Sequence, residues 1–378
     1  MTEPTIHLAL VDDWELAGNG SGDPHQLQFR PLRELIRIFN AHGIRGSFNA
    51  EVMQQLAFRD LQDQYPHLKE LADEWDSILC ETLRHGHDVQ LHTHPQWSSA
   101  EYKDGRWRLK GEWSILTYSA NEAKEFLVSG KEYLENLLRP IKSDYECISY
   151  RAGSWCVAPS PFMLGLLAEL GIVLDISVVG GLRYDTRRIE LDYSNCEEDF
   201  LPFYPVMIDA RRVSDKMEPI VCIPTNHFYG SRSRTFRHHM RTAVTKVQNR
   251  LSQASVDTTD TRENYRHEWA QKDHTSLVNR VYEKGIVPYL RGKHLISDLA
   301  QLDYPLMREM LSSIRRRARA SKLTNIPVIL GNHTKDIRNF DDIERFVSDI
   351  ATAPDIKCVT LTEVVHGLRN GTFEILIK

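Results

Sequence analysis

The chain has no C-x-x-C pair; its six cysteines, Cys80, Cys147, Cys156, Cys196, Cys222 and Cys358, stand singly. This spacing argues against a disulfide scaffold or a thiolate zinc site and makes the thiols small buried hydrophobes of a reduced compartment. No run approaches the roughly 20 consecutive apolar residues that cross a bilayer. The start, Met1-Thr-Glu-Pro-Thr5, carries no basic region of the secretory kind. The expectation is a cytoplasmic chain without a transmembrane segment. Basic charge is not in excess: 47 Lys and Arg against 52 Asp and Glu give a formal charge of −5, which argues against a surface built as a whole for nucleic acid. Phosphate and nucleophile motifs are missing as well. Without G-x-x-x-x-G-K-[ST], a G-x-G-x-x-G after the first strand, or G-x-S-x-G, nucleotide hydrolysis, dinucleotide redox and serine hydrolysis fall in rank. There is no internal repeat and no low-complexity tract.

What is present is the material of a soluble α/β enzyme. With 378 residues, 41% apolar and 26% charged, 20 Gly and 16 Pro, the chain affords a sizeable core and is neither disordered nor fibrous. Thr5 to Val11 reads as a buried strand that delivers Asp12 and Asp13 at its end. A helix follows, with Pro31 near its start, Leu32, Leu35, Ile36 and Phe39 at helical spacing, and Gly43 as its stop. The alternation continues with strands at Ile44–Asn49, Asp88–His92, Glu146–Tyr150, Ile172–Val178, Ile326–Leu330 and Ile356–Leu361. Helices fall at Tyr65–Arg84, Ala120–Leu138, Pro159–Leu170 and Asp341–Ile350. Such alternation predicts parallel pairing, in a doubly wound sheet or an α/β barrel, with the site at the C-terminal strand ends. Gln96 to Trp113 reads as a loop. Residues 181–323, which hold a short strand at Pro219–Pro224 and long polar helical segments, read as an inserted accessory or cap region within a single domain. The basic stretches Arg232–Arg250 and Arg315–Lys322 read as solvated helix faces.

The unusual polar residues fall at the predicted strand ends: Asp12-Asp13, His92-Thr93-His94, Arg151, Asp175 and Asn332-His333. Adjacent carboxylates repel unless a cation or a donor satisfies them. His92 and His94, two apart on extended backbone, point to one side and can present imidazole nitrogen to a single ion. One carboxylate plus two histidines leaves positions open for water and substrate, and the other carboxylate is then free to act as a base. Trp97 and Trp155 follow the histidines and the arginine, where an aromatic face stacks on a sugar ring.

Taken in order, Val11-Asp12-Asp13, Gly86-His-Asp-Val-Gln-Leu-His92-Thr-His94-Pro95, Tyr150-Arg-Ala-Gly-Ser-Trp155, Leu174-Asp175 and Ile329-Leu-Gly-Asn-His333 resemble the motifs of the polysaccharide deacetylase (NodB-homology) family. Ala41 to Asn49 is similar to that family's second strand. The resemblance covers the two ends of the chain and implies a distorted (β/α) barrel of about seven parallel strands. It also implies metal-assisted removal of an acyl group, in the first instance acetyl, from an N-acylated sugar or sugar precursor. By position, it implies Asp12 as catalytic base, Asp13 and His92 as metal ligands, Arg151 and Asp175 as the pair that orients the base, and His333 as general acid. The cofactor is a divalent ion, Zn with Co or Ni as alternatives. Two departures stand out. Trp14-Glu15 follows where the family has Gly, and Gln96 stands where it has its second metal histidine, so His94 takes that place here. Hydrolysis of a non-sugar C–N bond and a catalytically degenerate carbohydrate-binding relative are the competing readings.

Overall fold

The computed structural model describes residues 3–238, 240 and 293–378. Its frame is one sheet of eight strands: β1 (Thr5–Trp14), β2 (Ser47–Glu51), β3 (Asp88–Thr93), β4 (Ser149–Ala152), β5 (Leu174–Asp175), β6 (Val221–Cys222), β7 (Asn325–His333) and β8 (Ile356–Cys358). The order is β6-β5-β4-β3-β2-β1-β7, with β8 beside the start of β1, and every pairing is parallel. The two edges meet where Thr225, just past β6, bridges Ile329 of β7. This is a distorted (β/α) barrel.

The period-two alternation of a strand sorts β1 cleanly. Ala9 and Val11 face inward, in a cluster with Ile148, Leu174, Ile176, Ile223 and Ile329. The barrel floor is filled by Leu361, Val364, Val365 and Leu368 of a terminal helix, Leu361–Arg369, which starts on a Thr360/Glu363 capping box. Leu8, Leu10 and Trp14 face outward, against a helical layer that includes α1 (Arg30–Ala41), α3 (Pro66–Arg84), α4 (Ala120–Leu138), α6 (Tyr304–Ser321) and α7 (Phe340–Ala351). In α1 the stripe Leu32, Leu35, Ile36 and Phe39 is buried as the spacing requires, and each large side chain so covered contributes roughly 1.5–3 kcal/mol.

Several elements differ from the sequence reading. A helix α2 (Val52–Leu61) follows β2 directly, capped by the Glu51 side chain. The strands expected from Ile44, Glu146 and Ile172 begin two or three residues later, and α5 occupies only Met163–Glu169. The last strand stops at Cys358, because Leu361 already belongs to the helix that plugs the barrel. Gln96–Trp113 contains a two-stranded ribbon, Ala100–Lys103 with Arg106–Leu109, turned through Asp104 and Gly105, both at positive φ. Residues 181–323 are not wholly an insertion, since Val221–Cys222 supplies a strand of the main sheet and Tyr304–Ser321 a helix of the outer layer. Of the basic stretches, residues 241–250 lie outside the described residues. In the other, Arg315 and Arg317 pair with Asp355 and Asp199. No helix among the described residues is long and apolar enough to cross a membrane.

His87, 2% exposed, accepts a hydrogen bond from the Gly46 amide at Nδ1 (3.1 Å). Burial, helped by the charges of His85 and Arg45, pushes its pKa from 6.5 down to about 4. The unfolded chain therefore takes up a proton between these values that the native chain refuses. The resulting stability is complete above pH 6.5 and is lost as pH falls toward 4, by roughly 3 kcal/mol in all. His87→Gln, which keeps an acceptor for Gly46, is expected to remove that part of the acid limb in denaturant titrations run between pH 7 and 4. Equal pH dependence in the two proteins would refute the assignment.

Candidate metal centre and active site

The inward face of the C-terminal strand ends carries Asp13 of β1, Asn49 and Glu51 of β2, His92 of β3, Arg151 of β4 and His333 of β7. Register places Asp13 beside both Asn49 and His333, Glu51 beside His92, and His92 beside Arg151. Glu15, two residues past Asp13, joins them, as does His94.

Four of these side chains form a tight group. Glu15, Glu51, His92 and His94 are all buried, and each offers a ligand atom within 4.8 Å of the others'. His92 Nδ1 lies 2.8 Å from the Arg151 carbonyl, which can only accept, so Nδ1 carries a proton, and Nε2 is aimed at Glu15 Oε2, 3.1 Å away. A ring nitrogen held by a backbone carbonyl is the usual means of orienting a metal-binding histidine. His94 Nδ1 lies 2.7 Å from the same Glu15 oxygen and 3.0 Å from Glu51 Oε2. Glu51 Oε2 is a buried acceptor without a hydrogen bond. The other Glu51 oxygen is fixed by the amides of Met53 and Gln54 at the start of α2. This buried group of two carboxylates and two imidazoles, one acceptor unsatisfied, has the donor chemistry of a divalent cation site.

The surroundings reinforce that charge pattern. Burial disfavours charge on Glu15, but His94, Lys335 and the hydrogen bond from His92 outweigh it and hold its carboxyl well below the usual range. Burial likewise disfavours an imidazolium at His94, yet Glu15 and Glu51 raise its pKa to about 10. Without a metal, a proton takes the cation's place.

Asp13 sits beside this group. Arg151 Nη1 donates to both its oxygens (3.0 and 3.1 Å) and Asn49 Nδ2 to Oδ1 (2.8 Å). Burial pushes the Asp13 pKa up, but Arg151, His92 and His333 together bring it below normal. His333 Nε2 faces Asp13 Oδ2 at 3.5 Å while Nδ1 binds Asp298 Oδ2 at 2.9 Å. Against the opposing effects of burial and Lys335, Asp298 and Asp13 raise His333 to about 9. Trp155 lies over Arg151, with Cζ 5.0 Å from its ring, and its ring centre is 6.1 Å from that of His333. Ser154 and Trp155 both adopt left-handed backbone, φ 56° and 64°, a strain of about 1–3 kcal/mol each that is typical of functional sites.

The expected residues therefore divide. His92, His94, Asp13, Arg151, His333 and Trp155 come together. Asp12 and Asp175 do not reach this face, because successive strand residues alternate. Asp12 shares the outward side of Leu10 and Trp14 and is held by Asn332, while burial and the Asp13 charge raise its pKa to about 7. Asp175, between the inward Leu174 and Ile176, accepts from Ser177 Oγ (2.6 Å) and lies 3.6 Å from Cys222 Sγ. Burial raises its pKa to about 6. The second partner of Arg151 is Thr225 rather than Asp175. Trp97 is 3% exposed and packed against Phe58 and Trp107, a core residue with no face to offer a sugar. The sequence reading missed Glu15, Glu51, Asp298 and Lys335. Asp13-x-Glu15 on extended backbone was the available signal for the first, and the strand-end position of Glu51 for the second.

Gly153 is where the turn after β4 touches the cluster: a Cβ there would lie 2.2 Å from His94 Cδ2 and 2.5 Å from the Thr93 carbonyl. Gly153→Ala is expected to displace His94 and weaken metal affinity by about 10- to 100-fold, measured calorimetrically, with native far-ultraviolet dichroism. Unchanged affinity would mean that His94 does not bind the ion.

No family model matches the chain, and no curated protein matches it by sequence. Among solved structures, it is similar to a Mycobacterium smegmatis protein named, by inference, as a polysaccharide deacetylase. The TM-score is 0.53 at 13% identity, over 100% of this chain and 94% of that one. It is also similar to a Parabacteroides distasonis protein named, again by inference, as a glycoside hydrolase/deacetylase, with TM-score 0.53 at 11% identity over 97% and 72% of the two chains. The shared feature is the fold.

Proposed function

We propose that the protein is a metal-dependent hydrolase of a non-peptide C–N bond that removes an acyl group, acetyl in the first instance, from an N-acylated sugar or a cytosolic sugar precursor. The observation that carries this reading is the Glu15-Glu51-His92-His94 cluster beside the Asp13 and His333 pair. A divalent ion held there, Zn with Co or Ni as alternatives, would polarise the amide carbonyl and lower the pKa of the attacking water. Asp13, kept ionised by Arg151, takes the proton from that water. His333, protonated and turned by Asp298, gives a proton to the departing amine. Trp155 offers the aromatic wall for the sugar ring. Asp13 takes the base role expected of Asp12, and Glu15 and Glu51 the ligand role expected of Asp13.

The test is metal content by elemental mass spectrometry on untagged protein, alongside acetate release from N-acetylated sugars and amine release from small non-sugar amides. About one divalent ion per chain, lost in His92→Ala and His94→Ala, with chelator-sensitive acetate release, is the expected result. Sugar binding without metal or turnover would overturn the enzyme reading. Amine release from non-sugar amides alone would overturn the substrate class.

A further inference from the structure

Lys335 lies two residues beyond His333, on the short turn Thr334–Asp336 that follows β7. Its side chain is only 8% exposed, and its ammonium contacts Glu15 Oε1. The other oxygen, Oε2, is the one that faces His92 Nε2 and His94 Nδ1 at 3.1 and 2.7 Å. The two Glu15 oxygens are thus divided between a lysine and the pair of imidazoles. His333 Nε2 also stands 4.0 Å from Oε1, on the lysine's side.

We propose that Lys335 is a positioning residue that holds Glu15 Oε1 away from the metal, so that Glu15 ligates through Oε2 alone. The proposal rests on the reading of Glu15 as a ligand. A carboxylate can bind an ion through one oxygen or both, and a two-oxygen grip occupies a coordination position that a hydrolytic site needs for water or the substrate carbonyl. A buried ammonium suits this role, because it has donors only and cannot itself become a ligand while charged. Its charge would also offset part of the negative charge that the two glutamates bring to the site. Burying a lysine beside a ligand is costly unless it is paired, and the pairing is to the ligand oxygen turned from His92 and His94.

Three variants of the full chain test this. Lys335→Met removes the donor and keeps the stem, Lys335→Arg keeps charge and donors, and Lys335→Gln keeps a donor without charge. Each, with wild type, is stripped of metal and titrated with Co²⁺ alone, and the intensity of the visible absorption band is read as the report on coordination number. Wild type, Lys335→Arg and Lys335→Gln are expected to share an intense low-coordination band. In Lys335→Met the band is expected to weaken several-fold, with kcat down about 10- to 100-fold and KM within about twofold. A Lys335→Met band equal to wild type would overturn the proposal and leave the metal site standing. Loss of the band in all three variants would also overturn it, because volume rather than donation to Oε1 would then set the geometry. Absence of any Co²⁺ band in wild type would overturn the metal site itself and the proposal with it.

Discussion

Glu15→Gln is expected to abolish metal binding and hydrolysis together, whereas Asp13→Asn keeps the ion and loses turnover. The reasoning is geometric. Glu15 Oε2 approaches both His92 and His94, at 3.1 and 2.7 Å. An amide in its place offers a neutral, weaker ligand and puts an N–H where a lone pair is needed. The expected loss in kcat/KM is at least about 10³-fold, about 4 kcal/mol of transition-state stabilisation. Asp13 is committed to Arg151 and Asn49, outside the four-residue group, so Asp13→Asn leaves the donors in place and removes the proposed base, an expected loss of about 10²- to 10⁴-fold in kcat. Elemental analysis of the two variants decides between the ligand sets. If Asp13→Asn sheds the ion and Glu15→Gln retains it, the ligands are Asp13, His92 and His94, the set implied by the family resemblance.

That contrast shows what a sequence can and cannot carry. The alternation of strands and helices was legible because each strand is a short apolar run closed by polar residues, and it led to a parallel sheet, doubly wound or closed, with a site at the C-terminal strand ends; the family resemblance chose the barrel. His92 and His94 were legible as a pair because they stand two apart on extended backbone. The same period of two, applied to the first strand, separates Asp12 from Asp13 and joins Asp13 to Glu15, since Leu10 and Trp14 face the helices while Val11 faces the barrel. Family position favours the adjacent pair over that geometry. Glu51 was hidden by a strand end placed two residues early, which cut off the last inward side chain of β2. The Asp104-Gly105 dipeptide carried a hairpin signal that a charged, aromatic segment obscured. Gln96 illustrates what no local pattern holds: its Nε2 donates to the Gly18 carbonyl at 3.1 Å. The position where the family has a histidine thus ties down the loop that follows Glu15. Asp298 and Lys335 reach the site through tertiary packing and have no signature of their own.

Arg151→Met is expected to lower the unfolding free energy by about 3–5 kcal/mol, because it strands the Asp13 carboxylate in a site where both partners are almost fully buried. The guanidinium does more than neutralise. One nitrogen reaches both Asp13 oxygens across the barrel and the other donates to Thr225 Oγ1 at 2.8 Å. Thr225 is also the residue whose backbone closes the sheet on Ile329, and its hydroxyl donates onward to the Ile176 carbonyl at 2.9 Å. Arg151 therefore links β4, β1 and the closure point in one buried network, at the C-terminal end of the strands. The cost should be insensitive to salt, since screening acts weakly on buried pairs. It should also be reversible by a second change. Asp13→Asn in the Arg151→Met background removes the stranded charge and is expected to recover most of the lost stability, leaving a coupling energy of a few kcal/mol in a double-mutant cycle. Additive single effects, or an Arg151→Met cost below about 1 kcal/mol, would mean that the pair behaves as a solvated one and that this end of the barrel is held by other contacts.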